Sequence, residues 1–280
     1  MICVVVWYLY YCDPKDDYGI KISELRRFEV KGKVIGEGTK PLICTPLVGK
    51  TKDVILAELF AVLIKKPDII EWRADFFEGI ANTNEVIAIA KEIKEIAGNI
   101  PIIFTIRSIR EGGQPIILSD SEAIELNAAI CTGTSVEYVD CELSNTPEHF
   151  AQLCNVAHAN GVKVIASFHN FRSTPSQDIL NQKFAQAELK GADVAKVAVM
   201  PQSLEDVITL FSATLEAKRR LKIPVISMSM GGLGAVTRMF GGVFGSSVSF
   251  AVGQSSSAPG QVPIEDLNAV FHIVDKSMGV

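Results

Sequence analysis

Short apolar, β-branched runs recur along the chain and limit its fold more than any other feature. They are spaced roughly 30 residues apart, which is the length of a strand followed by a helix. The runs lie at residues 42–46, 68–73, 101–107, 136–142, 162–169, 193–199, 224–230 and 246–250. Because strand–helix units repeated in this way close into a cylinder, the sequence predicts an α/β protein with a (β/α)8 barrel.

The segments between the runs carry helical patterns. After Ser203 the apolar residues recur at helical spacing, and Ser203 with Asp206 resembles a capping box. The last segment follows Pro263 and places its apolar residues on one side of a helix. These residues are Ile264, Leu267, Val270, Phe271 and Val274. The segment 27–36 precedes the first strand, and we predict that it forms a β-hairpin that closes the barrel floor.

Length and composition favour one large domain. The chain has 280 residues, of which 48% are hydrophobic and 21% charged, so it can fill a sizeable core and is not a disordered chain. The net charge of −5 and the lack of a Lys/Arg stripe argue against a nucleic-acid partner. Since α/β barrels of this length fold as single domains, we assign residues 25–280 to one catalytic barrel. Residues 1–24 are treated as an extension of unknown role.

The cysteines and the apolar N-terminal run exclude several other classes of protein. The six cysteines contain no CxxC pair, so they fit neither a zinc site nor a disulfide scaffold. We expect reduced thiols in a cytoplasmic protein. The apolar run at 2–12 is too short to span a bilayer and lacks the basic region and cleavage site of a signal peptide. We therefore expect no membrane partner.

Polar residues near the strand ends share one strand face. Successive side chains of a strand point to opposite faces, and catalytic groups of barrels lie at the carboxyl ends of strands. The polar residues of shared parity are Glu71 and Arg73, Thr105 and Arg107, Asp140 and Glu142, Ser167 and His169, Lys196, and Ser227 and Ser229. A single charge at a strand end is usually a solvated rim group. Agreement among six strands predicts a polar site at one mouth of the barrel.

Two residues of this set could carry covalent and proton-transfer chemistry. Lys196 stands between Ala195 and Val197, and apolar surroundings favour a neutral amine that can attack a ketone. The alternative is a lysine that extends to solvent at the rim, and spacing alone does not decide between the two. His169 ends a strand, where it can shuttle protons near neutral pH. The other histidines are expected to be packing or surface residues: His149, His158 and His272.

Three further features have both a functional and a structural interpretation. Glu111 and Asp140 could orient the histidine, or they could simply pair with arginines at the rim. Residues 253–261 follow the eighth strand and could form a lid over a substrate or a flexible connection. Glycines at 231–234 could hold a phosphate at a helix N-terminus, although a tight turn is the favoured interpretation.

Eight sequence segments, in their order and spacing, carry a family resemblance. They are EWRAD (71–75), FTIRSIREGG (104–113), VDCEL (139–143), SFHNF (167–171), AKVAVMPQS (195–203), SMSMGGLGAVTR (227–238), VFGSSVSF (243–250) and SSAPGQ (256–261). Together they resemble type I 3-dehydroquinate dehydratase, from about residue 30 to 275. The resemblance implies a (β/α)8 barrel hydro-lyase of the shikimate pathway, which leads to chorismate and the aromatic amino acids.

The resemblance also implies a reaction and an assembly. Such an enzyme converts 3-dehydroquinate to 3-dehydroshikimate and water, with no metal and no cofactor. By resemblance, Lys196 forms a Schiff base with the substrate, and His169 is the general acid/base of a syn elimination. Members of the family are often homodimers, so we expect a homodimer.

The remaining site residues follow from the same resemblance. Arg238 matches the arginine that binds the substrate carboxylate, and Glu111 with Asp140 matches the carboxylates around the histidine. Contacts to substrate hydroxyls and from the lid match Glu71, Arg73, Arg107, Ser257 and Gln261. One departure is Pro46, which stands where members often carry a substrate-contacting serine. We expect Thr45 or a backbone group to replace that contact.

Two other functions fit part of the pattern. A class I aldolase, or another barrel lyase that forms a Schiff base, would share Lys196 but would usually act on phosphorylated sugars. Arg238 and the segment SSAPGQ favour a carboxylate substrate instead. A barrel that has lost catalysis and only binds a ligand would lack Lys196 or His169, and both are present.

Overall fold

Strands and helices alternate along the chain in the computed structural model, which describes residues 33–36, 40–255 and 257–279. The strands are β1 (Leu42–Leu47), β2 (Ile69–Arg73), β3 (Ile102–Thr105), β4 (Tyr138–Glu142), β5 (Lys163–Asn170), β6 (Val194–Val199), β7 (Val225–Ser229), β8 (Val248–Val252) and β9 (Val262–Pro263). The helices are α1 (Lys52–Ile64), α2 (Thr83–Ala97), α3 (Asp120–Gly133), α4 (Pro147–Ala159), α5 (Gln177–Leu189), α6 (Leu204–Arg220), α7 (Gly231–Phe240) and α8 (Ile264–Met278). Each predicted apolar run overlaps one strand from β1 to β8, so the predicted alternation is confirmed.

The strands form one curved parallel sheet. Within the described residues, the order of neighbouring strands is β7-β6-β5-β4-β3-β2-β1-β8-β9. β8 pairs with β1, with Leu42 opposite Val248. A bridge between Val225 and Ser246 joins the two remaining edges, and the backbone N–H of Ser247 donates to the carbonyl of Val225 at 2.8 Å. The sheet thus closes on itself, and the predicted α/β barrel is confirmed.

Side-chain alternation along the strands creates two apolar layers. The axis is filled by Leu42, Cys44, Ile69, Ile103, Tyr138, Ile165, Val194, Ala198, Ile226, Met228, Val248 and Phe250. Residues of the other parity, such as Trp72 and Phe104, are buried among the helices. The predicted parity is therefore correct for β2 to β6, where Glu71, Asp140 and Lys196 share the axial side with the apolar residues two positions away.

The predicted parity is wrong for β7. Ile226 and Met228 face the axis, so Ser227 and Ser229 point to the helix layer. There Thr214 of α6 donates a hydrogen bond to the Ser227 hydroxyl at 2.7 Å. The sequence signal failed because a serine hydroxyl can be satisfied by a neighbouring helix. A polar residue on a strand does not by itself mark the inner face.

The predicted starts of two helices, α6 and α8, agree with the structure. α6 begins after Ser203, whose hydroxyl accepts from the backbone N–H of Asp206 at 3.4 Å. The carboxylate of Asp206 accepts from the N–H of Gln202 instead of Ser203, so half of the predicted capping box forms. α8 begins after Pro263 and buries Ile264, Leu267 and Phe271, as its apolar spacing predicts.

The barrel floor is covered by the chain that precedes β1. Ile35 is buried, and its N–H donates to the hydroxyl of Tyr138 at 3.1 Å, at the first residue of β4. Residues 27–32 of the predicted hairpin lie outside the described residues, so the hairpin stays a prediction. None of the helices in the described part of the chain is long and apolar enough to cross a bilayer.

Candidate active site

A cavity of about 450 Å³ opens at the carboxyl ends of the barrel strands. It is lined by every residue predicted to catalyse or to bind substrate: Glu71, Arg73, Arg107, Glu111, His169, Lys196, Arg238, Ser257 and Gln261. Met228, Met230 and Phe250 add apolar wall. The fold therefore brings side chains from widely separated segments of the chain into one space.

Lys196 projects from the middle of β6 toward the axis and is 4% exposed. Its Nζ lies 3.3 Å from Asp140 Oδ2 and 3.4 Å from Glu71 Oε1, and 4.5 Å from the centroid of the Phe250 ring. Burial excludes the alternative of a lysine at the solvent rim. The expected partly apolar surroundings are present on the Phe250 side, whereas Asp140 and Glu71 make the other side polar. The apolar contact does not come from Ala195 and Val197, which face the helix layer, because a strand residue does not share surroundings with its immediate neighbours.

His169 lies near the end of β5 and is held by Glu111. Its Nδ1 lies 2.9 Å from Glu111 Oε2, and its backbone N–H donates to the same oxygen at 3.0 Å. Burial, with the charges of Arg107 and Lys196, lowers the pKa of His169 well below its usual range, so the imidazole is neutral near pH 7. With the Glu111 carboxylate accepting from Nδ1–H, the tautomer that keeps Nε2 free as a proton acceptor is favoured.

Glu111 is itself shifted toward the neutral form. Burial raises the pKa of Glu111 to about 7, although Arg107, 3.6 Å away, opposes the rise. Glu111 is 5% exposed, and Ser144 donates to its other oxygen at 3.3 Å. Glu111 therefore changes charge near neutral pH while His169 stays neutral, and the protonation of Glu111 decides which ring nitrogen of His169 carries the proton.

Arg107 occupies the centre of a carboxylate cluster. Its guanidinium lies 2.9 Å from Asp140 Oδ1 and 3.0 Å from Glu142 Oε1. Burial opposes its charge, but the surrounding carboxylates raise the pKa of Arg107 above its usual range. Burial would also raise the pKa of Asp140, yet Arg107 and Lys196 hold it below its usual range. Arg107, Asp140 and Glu142 thus have oppositely charged partners without any ligand.

Several residues of this network received no role in the sequence analysis. Glu142 accepts from the backbone N–H of Ser108 at 2.8 Å and from its hydroxyl at 2.6 Å. Ser167 donates to Asp140 Oδ1 at 2.6 Å and accepts from Arg107 at 2.9 Å. The shared strand parity marked Glu142 and Ser167 as inward residues. Ser108 follows the end of β3, where parity no longer applies.

Arg73 and Glu71 of β2 extend the polar wall. The guanidinium of Arg73 makes two bonds of 2.8 Å to the carboxylate of Asp75. Asp75 also accepts from the backbone N–H of Arg107 at 3.3 Å, which fixes the chain beyond β3. Glu71 accepts from the hydroxyl of Thr105 at 3.0 Å. Both residues thus present rigid polar groups to the cavity.

Arg238 lies on the opposite side of the mouth, on α7. It is 2% exposed and donates to the carbonyls of Phe250 at 3.1 Å and Pro259 at 3.3 Å. Among the described residues no carboxylate pairs with it, and its Nε has no hydrogen-bond partner. Burial lowers the pKa of Arg238 to about 10, so it stays charged at neutral pH. A buried cation of this kind is suited to bind an anionic group of a ligand.

The segment after β8 bends over the cavity beside Arg238. The N–H of Ser257 donates to Gln261 Oε1 at 3.0 Å, and Gln261 Nε2 donates to the Ser257 hydroxyl at 3.2 Å. The N–H of Gly231 donates to the carbonyl of Pro259 at 3.1 Å, which ties this segment to the start of α7. Gly231 has φ of +70°, and a side chain at Gly234 would meet the Ser229 carbonyl at 2.2 Å. These glycines therefore serve a tight turn.

Thr45 does not replace the serine contact that was expected at the end of strand one. Cys44 faces the axis, so Pro46 shares that side, whereas Thr45 faces the helix layer with its methyl group against Gly253. The hydroxyl of Thr45 therefore cannot reach the cavity, and neither residue lines it. Of the two expected replacements, Thr45 is excluded for this geometric reason, and a contact from a backbone group stays a prediction.

The remaining histidines lie outside the cavity, as predicted. His158 is exposed on α4 and contacts Asp193 at 2.9 Å. His149 and His272 lie on outer helices. In the described ranges no group of three or more His, Cys, Asp or Glu side chains is placed to hold a metal ion.

Known proteins were compared with the chain by family, sequence and structure. A family model described as type I 3-dehydroquinase matches residues 43–278. The 3-dehydroquinate dehydratase of Aromatoleum aromaticum is 52% identical over 253 residues, which is 90% of this chain and 97% of that protein. That of a Geobacillus species is 54% identical over 249 residues, 89% of this chain and 95% of that protein.

Two solved structures of 3-dehydroquinate dehydratases are also similar to the chain over most of its length. The 3-dehydroquinate dehydratase of Geobacillus kaustophilus superposes with a TM-score of 0.84 at 49% identity, covering 85% of this chain and 93% of that one. The type I enzyme of Clostridium difficile, solved with covalent modified comenic acid, has a TM-score of 0.84 at 38% identity. It covers 89% of this chain and 97% of its own.

Proposed function

The chain belongs to the type I 3-dehydroquinase family of hydro-lyases, and we propose that it dehydrates 3-dehydroquinate through a Schiff base on Lys196. The product is 3-dehydroshikimate, and the reaction is a step of the shikimate pathway. One observation carries the mechanism: the buried amine of Lys196 shares a cavity with the neutral imidazole of His169 and the unpaired cation of Arg238. A nucleophile, a base and a carboxylate receptor are thus present together.

The first stage is imine formation. Lys196 gives up a proton, and its nitrogen attacks the C3 ketone of the substrate. The carbinolamine then loses water and becomes an iminium ion. Asp140 and Glu71, at 3.3 and 3.4 Å from Nζ, are the contacts that can receive the proton and stabilise the cationic intermediate.

The second stage is the elimination. The iminium withdraws electrons from C2, so that His169 Nε2 can remove the C2 proton and leave an enamine. The enamine expels the C1 hydroxyl, and His169 returns its proton to the leaving oxygen on the same face. Water then hydrolyses the iminium, releases the product and restores the lysine, so the net change is loss of one water. General acid/base catalysis of this kind contributes about 10²–10⁴-fold.

Substrate recognition is assigned to the remaining cavity residues. Arg238 is suited to the carboxylate, because a planar guanidinium can bind both oxygens and has no carboxylate partner among the described residues. Contacts to the hydroxyls and from the overlying segment are assigned to Glu71, Arg73, Arg107, Ser257 and Gln261. These residues favour a hydroxylated carboxylic acid over the phosphorylated sugars of class I aldolases.

Borohydride trapping tests the nucleophile. Protein and 3-dehydroquinate are mixed, the rise of enone absorbance is followed, and borohydride is then added. We expect the absorbance to rise and a stable mass to be added at Lys196. The matched variant Lys196→Met keeps a side chain of similar length but has no amine, so it should give neither signal. A label on any other lysine would overturn the assignment.

A second variant separates the base from the nucleophile. His169→Ala keeps Lys196 and its carboxylate contacts, so it should still form the trapped adduct. Turnover should fall by about 10²–10⁴-fold, because the proton transfers at C2 and at the leaving oxygen lose their catalyst. Steady-state rates and the adduct mass are measured on the same preparation. Turnover at the wild-type rate would exclude the role of His169.

We also propose that residues 25–280 form the whole catalytic domain and that the enzyme is a cytoplasmic homodimer. The family match at residues 43–278 and the start of β1 at Leu42 support the first part. A chain that begins at Ile22 should fold and turn over like the full chain. Light scattering should give twice the chain mass of 30.4 kDa, and a mass of one chain would exclude the dimer.

A further inference from the structure

The carboxylate network of the active site meets solvent at Ser144, which follows the end of β4. This residue is exposed, and it does not line the catalytic cavity. Its hydroxyl lies 3.3 Å from Glu111 Oε1 and 3.3 Å from Glu142 Oε2. Both carboxylates are buried, with exposed fractions of 5% and 4%. A surface hydroxyl thus contacts two buried acids, one of which is held against His169.

The single proton of this hydroxyl matters more to Glu111 than to Glu142. Glu142 Oε2 already accepts from the hydroxyl of Ser108 at 2.6 Å, and its other oxygen accepts from the N–H of Ser108 at 2.8 Å. Glu111 Oε2 has the N–H and the ring of His169, but Oε1 has no donor other than Ser144 among the described residues. Because a buried acceptor without a donor is costly, we expect the proton to be directed to Glu111 Oε1.

The surroundings of Glu111 mostly oppose its negative charge. The charged and titratable groups near it are Arg107 and Arg110 of its own segment, Asp140 and Glu142 of β4, and His169 of β5. Burial raises the pKa of Glu111 to about 7, although Arg107 opposes the rise, and the carboxylates of β4 add to it. Since a donor to a carboxylate favours the ionised form, the hydroxyl of Ser144 acts in the same direction as Arg107.

The charge of Glu111 decides whether His169 can act as a base. When Glu111 is ionised, it accepts from Nδ1–H of the imidazole and leaves Nε2 free. When Glu111 is neutral, it can donate to Nδ1, and Nε2 then carries the ring proton. Only the first arrangement can remove a proton from C2 in the mechanism proposed above. The ionised fraction of Glu111 should therefore set the lower pH limit of turnover.

We propose that Ser144 is a positioning residue, whose hydroxyl keeps Glu111 ionised and turned toward His169 and so extends turnover to lower pH. Because Ser144 does not line the cavity, it acts through Glu111 and not on the substrate. The effect on turnover rests on the proposed function, whereas the charge of Glu111 can be followed without substrate. The two statements can therefore be tested separately.

The test replaces the donor at an exposed position, where the protein should still fold. In Ser144→Ala, carbon NMR of the Glu111 carboxyl group without substrate should show a midpoint of ionisation that is higher by about half to one pH unit, the effect of one neutral hydrogen bond. The acidic limb of the pH profile of kcat/KM for 3-dehydroquinate should move up by the same amount. At high pH the rate should stay within about twofold of wild type, because Glu111 is ionised there in both proteins.

Two further variants separate the donor from a general effect of substitution. Ser144→Thr keeps the hydroxyl and should keep the wild-type midpoint and limb. Ser121→Ala removes a hydroxyl that donates to the exposed Glu125 on α3 at 3.5 Å, and it should change neither. An unchanged midpoint in Ser144→Ala, an equal shift in Ser144→Thr, or a limb that stays in place while the midpoint moves would overturn the proposal. A shifted midpoint in a protein whose wild type does not dehydrate 3-dehydroquinate would confirm the contact and refute the proposed function alone.

Discussion

The two sides of the cavity mouth each bury an arginine, in opposite electrostatic settings. Arg107, beside β3 and β4, is 3% exposed and forms ion pairs with Asp140, Glu142 and Glu111. Arg238, on α7, is 2% exposed and donates to two backbone carbonyls. The surrounding charges raise the pKa of Arg107 despite its burial, whereas burial lowers the pKa of Arg238 to about 10.

This difference indicates that Arg107 positions the catalytic side chains, whereas Arg238 is suited to bind the substrate. On the Arg107 side the cation already contacts carboxylates of the protein itself, so the network can fix Lys196 and His169 before any substrate arrives. On the Arg238 side the cation has no carboxylate among the described residues, and a substrate carboxylate would supply one. A buried ion pair is strongly destabilised by loss of one partner, whereas an unpaired buried cation leaves no stranded charge when it is removed.

The largest expected effect is a loss of unfolding free energy when Arg107 is replaced. Arg107→Met keeps most of the side-chain volume but leaves Glu142 without its cation and Asp140 with Lys196 alone. We expect the free energy of unfolding, measured by urea denaturation, to fall by about 3–5 kcal/mol. Arg110→Met is the matched control, because Arg110 forms an exposed pair with Asp120, and such pairs contribute at most about 1 kcal/mol. Equal losses in the two variants would contradict the central role of Arg107.

Replacement of Arg238 should instead weaken substrate binding. Arg238→Met removes a buried charge that has no carboxylate partner among the described residues, so the free energy of unfolding should change by less than about 1 kcal/mol. The value of kcat/KM should fall by about 10²–10³-fold, mainly through KM, since a buried charge-assisted contact is lost. Arg238→Lys should recover part of the loss, because lysine restores the charge without the planar fork. A fall in kcat at constant KM would argue against carboxylate binding.

Local sequence patterns were sufficient to predict the fold, and together with the family resemblance they predicted residues that the structure brings into one cavity. The spacing of apolar runs sets the strands, because each run must bury residues on both faces of a parallel sheet. The parity of Glu71, Asp140 and Lys196 followed from alternation along each strand. Ser227 was wrongly assigned to the axis, since its hydroxyl is satisfied by Thr214 of α6, a partner that strand parity cannot reveal.

Relations between distant segments could not be predicted. The carboxylates beside Lys196 come from β2 and β4, and their approach depends on strand register. The lack of a carboxylate partner for Arg238 is visible only once the described residues around it are in place. Whether a buried charge has a partner is thus a property of the assembled barrel.

The smallest expected effect is a pH dependence of stability that comes from Glu111, on the Arg107 side of the cavity. Nearby cations compensate the negative charge of this carboxyl least well. Its pKa of about 7 lies above the value of about 4.3 in an unfolded chain, so the folded state holds this proton more tightly. The stability that it contributes is therefore present at low pH and lost as pH rises from about 4.3 to about 7, by at most about 1.4 kcal/mol per pH unit. Glu111→Gln should remove this dependence, whereas Glu125→Gln, at an exposed position of α3, should keep it. A difference in unfolding free energy between wild type and Glu111→Gln that stays constant from pH 5 to pH 7 would contradict the assignment.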